Sequence, residues 1–147
     1  MNKSITTIRA AMLAVCVLSL AACAGYREQA GSAPVKFTDG IMVDSAGMTL
    51  YTFDKDPAGG GKSVCNGPCA QNWPPLLAGS DDRASRSFSI IRRDDGSRQW
   101  AYRGKPLYLW VKDQKPGDRT GDGFNNVWHV VKQEGRGDGM PRGRMGY

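Results

Sequence analysis

The fold is decided by the ten-residue stretch GMTLYTFDKD, at residues 47–56, because it returns further along the chain. Residues 104–113 are GKPLYLWVKD, so both stretches share the pattern G-x-x-L-Y-x-[FW]-x-K-D at an offset of 104 − 47 = 57 residues. Each copy then enters a Gly-rich loop that leads to a tryptophan, Trp73 in the first copy and Trp128 in the second. Internal similarity of this kind is the sequence signature of a duplicated unit. It predicts two related half-domains, at residues 35–78 and 86–132.

The repeated stretch has the side-chain pattern of a β-strand. In an extended chain Tyr51 and Phe53 lie on one face and Leu50 lies on the other. Tyr108 and Trp110 repeat the aromatic pair in the second copy. Aromatic side chains bury roughly 150–250 Å² each. The motif therefore has a structural explanation, in which two aromatic pairs form much of a small core.

An aspartate closes each copy of the motif, Asp56 in the first and Asp113 in the second. Both come just after a predicted strand and before a Gly-rich loop. At such a position a carboxylate accepts hydrogen bonds from backbone N–H groups of the loop that follows. We predict that these aspartates organise the loops.

The rest of the folded part indicates further short strands. Asp-Gly at residues 95–96 supplies the positive φ angles that a tight hairpin needs, between strands predicted at 87–92 and 98–102. A first hairpin is predicted from residues 41–43 to 48–53, and further strands at 106–111 and 127–132. No run has a helical period, and only a short helical turn is predicted near residues 70–73. The predicted class is all-β: a single small domain of two pseudo-repeated β-hairpin or meander units, with little or no helix apart from the signal peptide.

The beginning of the chain has the organisation of a secretory signal. Lys3 and Arg9 precede an apolar run that is shorter than the roughly 20 residues needed to cross a bilayer. Leu20-Ala21-Ala22-Cys23 resembles the bacterial lipobox, in which the cysteine thiol receives diacylglycerol, cleavage occurs before it and the new amine is acylated. We therefore predict a signal peptide at 1–22, lipid on Cys23 and attachment to a membrane through that lipid.

Two segments without hydrophobic periodicity flank the folded part. Residues 23–34 are predicted to be a lipidated tether, and residues 133–147 a flexible Gly- and Arg-rich tail. Removal of residues 1–22 leaves 147 − 22 = 125 residues with a net charge of 18 − 14 = +4. Basic and acidic residues are interspersed rather than clustered, so nucleic acid is not predicted as a partner.

Cys65 and Cys69 are the thiols that remain after cleavage and lipidation, and export takes them to an oxidising compartment. A disulfide across Asn66-Gly67-Pro68 is predicted. The alternative is a copper or zinc site of Cys65, Cys69 and His129, because thiolate and imidazole ligands suit Cu(I) and Zn(II). Thiol redox catalysis is a third possibility, although the spacing is not C-x-x-C.

Other sites are weaker. Asp113, Asp118 and Asp122 lie on a Gly-rich loop that could bind calcium, but their spacing misses that of the EF-hand and basic residues intervene. Polar turn chemistry explains them better. No G-x-S-x-G or phosphate-binding fingerprint occurs in the sequence. The sequence therefore predicts no catalytic residues, no cofactor and a non-enzymatic role.

The two motif copies resemble those of a bacterial lipoprotein family with a repeated YX(FWY)XXD motif, the secreted-repeat lipoproteins. Residues 51–56 and 108–113 match the motif, and residues 65–76, CNGPCAQNWPPL, are similar to the family's C-x-G-x-C-A-x-x-W-P-P stretch. The resemblance covers nearly all of the predicted domain. It implies a periplasm-facing or surface lipoprotein and implies no activity.

The leading functional hypothesis is a lipid-anchored cell-envelope lipoprotein with a binding or structural role. Its partner is expected to be an envelope protein, a polymer or a small ligand. The alternative is a metal-handling or thiol-redox lipoprotein that uses Cys65, Cys69 and His129. Ala24 follows the lipidated cysteine, and aspartate at that position tends to retain lipoproteins in the inner membrane. Outer-membrane delivery is therefore predicted if the source is Gram-negative.

Overall fold

Short antiparallel strands make up most of the regular structure in the computed structural model, which describes residues 32–57 and 59–134. The predicted signal peptide, Cys23, most of the tether and most of the tail lie outside the described residues. The elements are β1 (Val35–Thr38), β2 (Ile41–Asp44), β3 (Tyr51–Phe53), α1 (Pro68–Asn72), β4 (Phe88–Arg92), β5 (Arg98–Tyr102), β6 (Lys105–Pro106), a 3₁₀ turn (Phe124–Asn126) and β7 (Trp128–Val130). The predicted all-β class is confirmed.

The strands form three small antiparallel sheets, with orders β1-β2, β3-β7 and β4-β5-β6. Where strands are this short, most of the stability must come from packing between the sheets rather than from any one ladder. None of the helices in the described ranges is long and apolar enough to cross a membrane.

The hairpin predicted around the Asp-Gly turn is confirmed. Strands β4 and β5 pair with Ile90 opposite Trp100, and Gly96 has a φ angle of 82°. A second tight turn joins β5 to β6, where Arg103 and Gly104 have φ angles of 49° and 79°. Two consecutive positive φ angles give a turn whose twist matches the strands on either side.

Two other predicted strands are only partly confirmed. The amide of Leu50 donates to Met42 O at 3.0 Å, as in the hairpin predicted from residue 41, but residues 51–53 pair with β7 instead. In the second copy a strand was predicted at 106–111, but the observed strand β6 covers only Lys105–Pro106. The reason is that the backbone of each repeated stretch stops pairing within its own copy and forms hydrogen bonds with the other copy. Strand β1 was not predicted, because the alternation of VKFT is too short to stand out.

The core consists of two clusters on opposite sides of the repeated strands. The aromatic cluster contains Ile41, Tyr51, Cys65, Trp73, Tyr108, Trp110, Trp128 and Val130. The leucine cluster contains Ala33, Met42, Leu50, Leu76, Trp100, Leu107 and Val131. Tyr51 lies in one cluster and its neighbour Leu50 in the other, so the prediction that they occupy opposite faces of a strand is confirmed.

The two copies are related by an approximate twofold exchange of hydrogen bonds. Tyr51 N donates to Tyr108 O at 2.9 Å, and Tyr108 N donates to Tyr51 O at 3.0 Å. Further out, Leu76 N donates to Leu107 O at 2.9 Å, while Val131 N donates to Leu50 O at 3.0 Å. In this exchange Tyr51 of the first copy also lies opposite Val130 of the second. The half-domains are therefore interleaved rather than set side by side.

Candidate functional site

The tyrosine of each motif copy is hydrogen-bonded to the aspartate of the other copy. Tyr51 Oη donates to Asp113 Oδ2 at 2.6 Å, and Tyr108 Oη donates to Asp56 Oδ2 at 2.6 Å. All four side chains are buried. Hydrogen bonds that involve an ionised acceptor are about twice as strong as neutral ones. These two Tyr–Asp pairs join the halves of the molecule at its centre.

The second oxygen of each aspartate holds the loop that follows it. Val64 N donates to Asp56 Oδ1 at 2.8 Å, and Thr120 N donates to Asp113 Oδ1 at 2.9 Å. The hydroxyl of Thr120 also donates to Asp113 Oδ1, at 2.6 Å. The predicted role of the aspartates in organising the loops is confirmed. Their second role, as acceptors from the opposite copy, was not predicted.

Burial dominates the electrostatics of the two pairs. It raises the pKa values of Tyr51 and Tyr108 well above 10, and the hydrogen bonds to Asp113 and Asp56 raise them further. Burial also raises the pKa of Asp56, while the hydrogen bonds from Tyr108 and the Val64 amide oppose that shift. The tyrosines therefore remain protonated donors over the neutral range.

A buried arginine distinguishes the first pair from the second. Arg93 Nη1 donates to Ser63 Oγ at 2.9 Å and to Gln99 Oε1 at 2.6 Å, and Arg93 Nη2 donates to Cys65 O at 2.6 Å. Ser63 Oγ in turn lies 2.7 Å from Tyr108 Oη. A guanidinium that is 4% exposed requires such partners, because an unpaired buried charge is costly.

Arg93 was not predicted from the sequence as a residue of this site. A signal was available, because Ile91 and Arg93 are two residues apart and period-2 alternation places both on the buried face. An arginine at such a position is normally assigned to the surface.

The aromatic residues of the two copies form a continuous stack across the same centre. The ring centroids of Trp73 and Trp128 are 3.8 Å apart, with planes inclined by 3°. Trp73 also stacks on Trp110 at 4.0 Å, and Trp128 stacks on Phe53 at 4.2 Å. Each tryptophan therefore packs against the motif aromatic of the opposite copy, as the tyrosines do with the aspartates.

Comparison with known families fits this exchange between two copies of one unit. The family model Lipoprotein_15, described as a secreted repeat of unknown function, matches residues 34–77 and again residues 89–132. The two matches together cover more than half of the chain. The protein belongs to this secreted-repeat family. Searches of curated proteins and of solved structures found no match.

Membership confirms the resemblance drawn from the motifs and supports export of the chain. In this secreted-repeat protein the YX(FWY)XXD motif has a clear physical role. Its tyrosine, central aromatic residue and aspartate each contact the other copy or hold a loop in place.

The disulfide predicted for the first copy is confirmed. Cys65 and Cys69 are joined by an S–S bond of 2.02 Å. The bridge closes the turn of residues 66–68, and Cys69 itself lies in α1. Cys65 is completely buried in the aromatic cluster, beside Trp73. The bond fixes the loop that carries Trp73 into the stack.

His129 makes a different contact from the one that the metal alternative requires. Its Nε2 lies 2.9 Å from Asp54 Oδ2 at the surface. Both cysteine sulfurs belong to the disulfide. Within residues 32–57 and 59–134 no group of three or more His, Cys, Asp or Glu side chains is placed to hold a metal ion. The structure therefore does not assemble the copper or zinc ligand set, and the absence of a resident cofactor stays a prediction.

The acidic residues of the second Gly-rich loop accept hydrogen bonds from other groups of the protein. Asp118 accepts hydrogen bonds from the Lys115 side chain and from Gln114 N, the latter at 2.9 Å, and these bonds lower its pKa. Asp122 accepts from Val130 N at 3.0 Å. Asp113 is engaged by Tyr51 and Thr120. The contacts of Asp118 are the polar turn chemistry that was predicted in preference to calcium binding, whereas the bond between Asp113 and Tyr51 joins the two copies.

Proposed function

We propose that this exported secreted-repeat protein is a lipid-anchored component of the bacterial envelope, with a non-enzymatic binding or structural role. The observation that carries the proposal is the pair of Tyr–Asp contacts. The ionisable groups of the family motif bond to each other inside the core, at 2.6 Å in both copies. The motif thus stabilises a scaffold, and the outer surface is left to contact a partner.

The organisation of the motif supports a rigid scaffold. Two Tyr–Asp pairs, a stack of four aromatic rings and a disulfide meet at the centre of the molecule. Hydrogen bonds satisfied on both sides, in a region of low dielectric, fix the relative position of the two copies. Such a scaffold suits recognition of an envelope protein, a polymer or a small ligand by side chains on its surface.

Membrane attachment is proposed from the lipobox and the residue that follows it. Acyl chains on Cys23 would hold the chain on a membrane, because two or more such chains give stable anchoring. Ala24, rather than aspartate, follows the cysteine. In a Gram-negative source we therefore propose the outer membrane as the destination.

Fractionation of cells that express full-length variants tests the anchor. We expect the wild-type protein in the membrane fraction and the Cys23→Ala protein in the soluble fraction. Cys16→Ala is the matched control, because Cys16 lies within the proposed signal peptide and should leave with it. Membrane attachment of the Cys23→Ala protein at the wild-type level would refute lipid anchoring at this residue.

A further inference from the structure

Aromatic side chains surround the point at which the described chain begins. Phe37, Phe88 and Tyr102 are half-buried and line a groove of about 490 Å³ that also includes Ser32 and Ala33. The ring centroid of Tyr102 lies 5.1 Å from that of Phe88 and 6.3 Å from that of Phe37. These rings form an aromatic surface beside the end of the tether.

Basic side chains continue this surface. A second groove, of about 250 Å³, shares Tyr102 with the first and is lined by Arg103, Lys105 and Lys132. Arg86 lines the aromatic groove, in a tight turn that gives it a φ angle of 48°. All four cations are exposed. We call the two adjoining grooves, with the aromatic and basic residues that line them, the tether-side face.

Two carboxylates lie among these cations. Glu134 lines the second groove and forms an ion pair with Arg103. Asp54 Oδ1 lies 3.8 Å from Lys105 Nζ, and Asp54 Oδ2 lies 2.9 Å from His129 Nε2. Four cations against two carboxylates leave the face with a net positive charge. An anionic surface would therefore be attracted to it.

The length of the tether limits how far this face can be from the lipid. Ser32 follows Cys23 by nine residues. A fully extended chain spans at most ~3.6 Å per residue, so Ser32 lies within roughly 30 Å of an anchored Cys23. The proposed anchor would therefore keep the face that includes Ser32 within reach of the membrane.

We propose that the tether-side face docks on the anionic lipid surface of the membrane that carries the anchor. The proposal rests on the lipid anchoring proposed above. Tyrosine and other aromatic rings favour the headgroup level of a bilayer, where one end is apolar and the other is hydrated. Lys and Arg beside them gain from the negative potential of anionic lipids. Docking would fix the orientation of the domain relative to the membrane.

Vesicle binding by the complete mature chain, residues 23–147, tests the proposal. The chain carries Cys23→Ser, so that no acyl group contributes. We expect it to sediment with vesicles of phosphatidylcholine and phosphatidylglycerol but not with phosphatidylcholine alone. Lys105→Ala and Lys132→Ala should each lower the partition coefficient about fivefold, the usual contribution of one cation near an anionic membrane.

Lys112→Ala is the matched control, because Lys112 is an exposed cation over the ring of Trp110, outside both grooves. It should bind like the parent chain, and all variants should share the parent's unfolding midpoint. Equal binding to neutral vesicles, an equal loss in Lys112→Ala or no binding at all would overturn the proposal. So would a dimer that the Lys105 and Lys132 substitutions abolish, because a second copy would then occupy the face.

Failure of the docking proposal in this experiment can be distinguished from failure of lipid anchoring in the fractionation test. Vesicle binding is measured without the lipid, so its failure leaves the anchor at Cys23 untouched. Conversely, a protein anchored at another residue could still dock through the tether-side face.

Discussion

Tyr51 and Tyr108 each carry a buried hydroxyl that satisfies a carboxylate of the opposite copy. Phenylalanine would fill the same space and leave the aspartate without its donor. An unsatisfied buried acceptor costs about 1–3 kcal/mol, more when it is charged. This asymmetry explains why the motif specifies tyrosine at its first position while its third position is phenylalanine in one copy and tryptophan in the other.

Stability toward alkali follows from the same two hydroxyls. Both tyrosines have pKa values raised above 10 in the folded state, chiefly by burial. The folded protein therefore holds protons that the unfolded chain loses above about pH 10. We expect the contribution of these two tyrosines to the free energy of unfolding to be constant below pH 10 and to fall above it. The slope should approach about 1.4 kcal/mol per pH unit for each tyrosine. Urea unfolding at a series of pH values measures it.

Replacement of a buried tyrosine by phenylalanine tests whether its hydroxyl causes the loss of stability above pH 10. The Tyr51→Phe protein should be less stable at neutral pH and should lose stability above pH 10 with a shallower slope. Tyr102→Phe is the control, because Tyr102 is half-exposed and lies outside both Tyr–Asp pairs. A slope unchanged by Tyr51→Phe would contradict this account of the alkaline transition.

At this scale the sequence predicted one of two contacts for each aspartate. The bond that Asp56 accepts from the Val64 amide is local, since eight residues separate them, and turn chemistry predicts it. The bond from Tyr108 spans 52 residues. No local pattern encodes such a partner, because it depends on how the two copies dock.

The second Gly-rich loop packs closely on the aromatic stack at Gly121. A Cβ atom at Gly121 would lie 2.7 Å from Trp73 Cη2 and 3.1 Å from Tyr51 Cε1. Neither ring is free to withdraw, because Trp73 is stacked on Trp110 and Trp128 and the Tyr51 hydroxyl is bonded to Asp113. Glycine at this position is therefore required by contact between the loop and the other copy.

Gly121→Ala should destabilise the protein by roughly 1–3 kcal/mol, the usual cost of overpacking a core. Denaturant unfolding measures the loss, and near-ultraviolet circular dichroism should report a disturbed tryptophan stack. Gly79→Ala is the control, because its Cβ would meet only the side chain of Asp82, at 3.7 Å from Oδ2 and 3.9 Å from Cγ. Equal stability of the Gly121→Ala and Gly79→Ala proteins would show that the loop adjusts freely.

Elements differed in how well they could be predicted. The β4–β5 hairpin depends on its own Asp-Gly turn, and its strands were predicted almost to the residue. The stretch at 106–111 has the alternation of a strand, yet only Lys105–Pro106 is regular and Tyr108 forms isolated bridges to Tyr51 and Pro75. From Tyr108 to Val111 its backbone partners come from the first copy, so local propensity could not define its limits.

For the whole molecule, interleaving predicts that neither copy folds alone. Strand β3 pairs with β7 of the second copy, and Trp73 contacts rings of that copy, Trp110, Trp128 and Phe124, in addition to its contact with Tyr51. A single copy would expose these groups to water and lose both Tyr–Asp pairs.

Residues 32–80 and 81–134, made as separate chains, should each give the circular dichroism of an unfolded polypeptide. An equimolar mixture should recover the near-ultraviolet tryptophan signal, because the contacts between copies are non-covalent. The intact chain is the reference for both measurements. A cooperative unfolding transition of either chain by itself would show that the copies are independent domains.

The class and the duplication could be predicted from the sequence, which also favoured a disulfide of Cys65 and Cys69 over a metal or redox site. Alternation of side chains, Asp-Gly turn chemistry and the spacing of two cysteines act over a few residues, and the 57-residue offset needs only comparison of the chain with itself. Tertiary structure alone decided that each copy completes the other. The Tyr–Asp pairs, the stacked tryptophans and the burial of Arg93 all join residues distant in sequence. Their partners are set by how two similar surfaces pack, a property of both halves together that no single stretch of the chain contains.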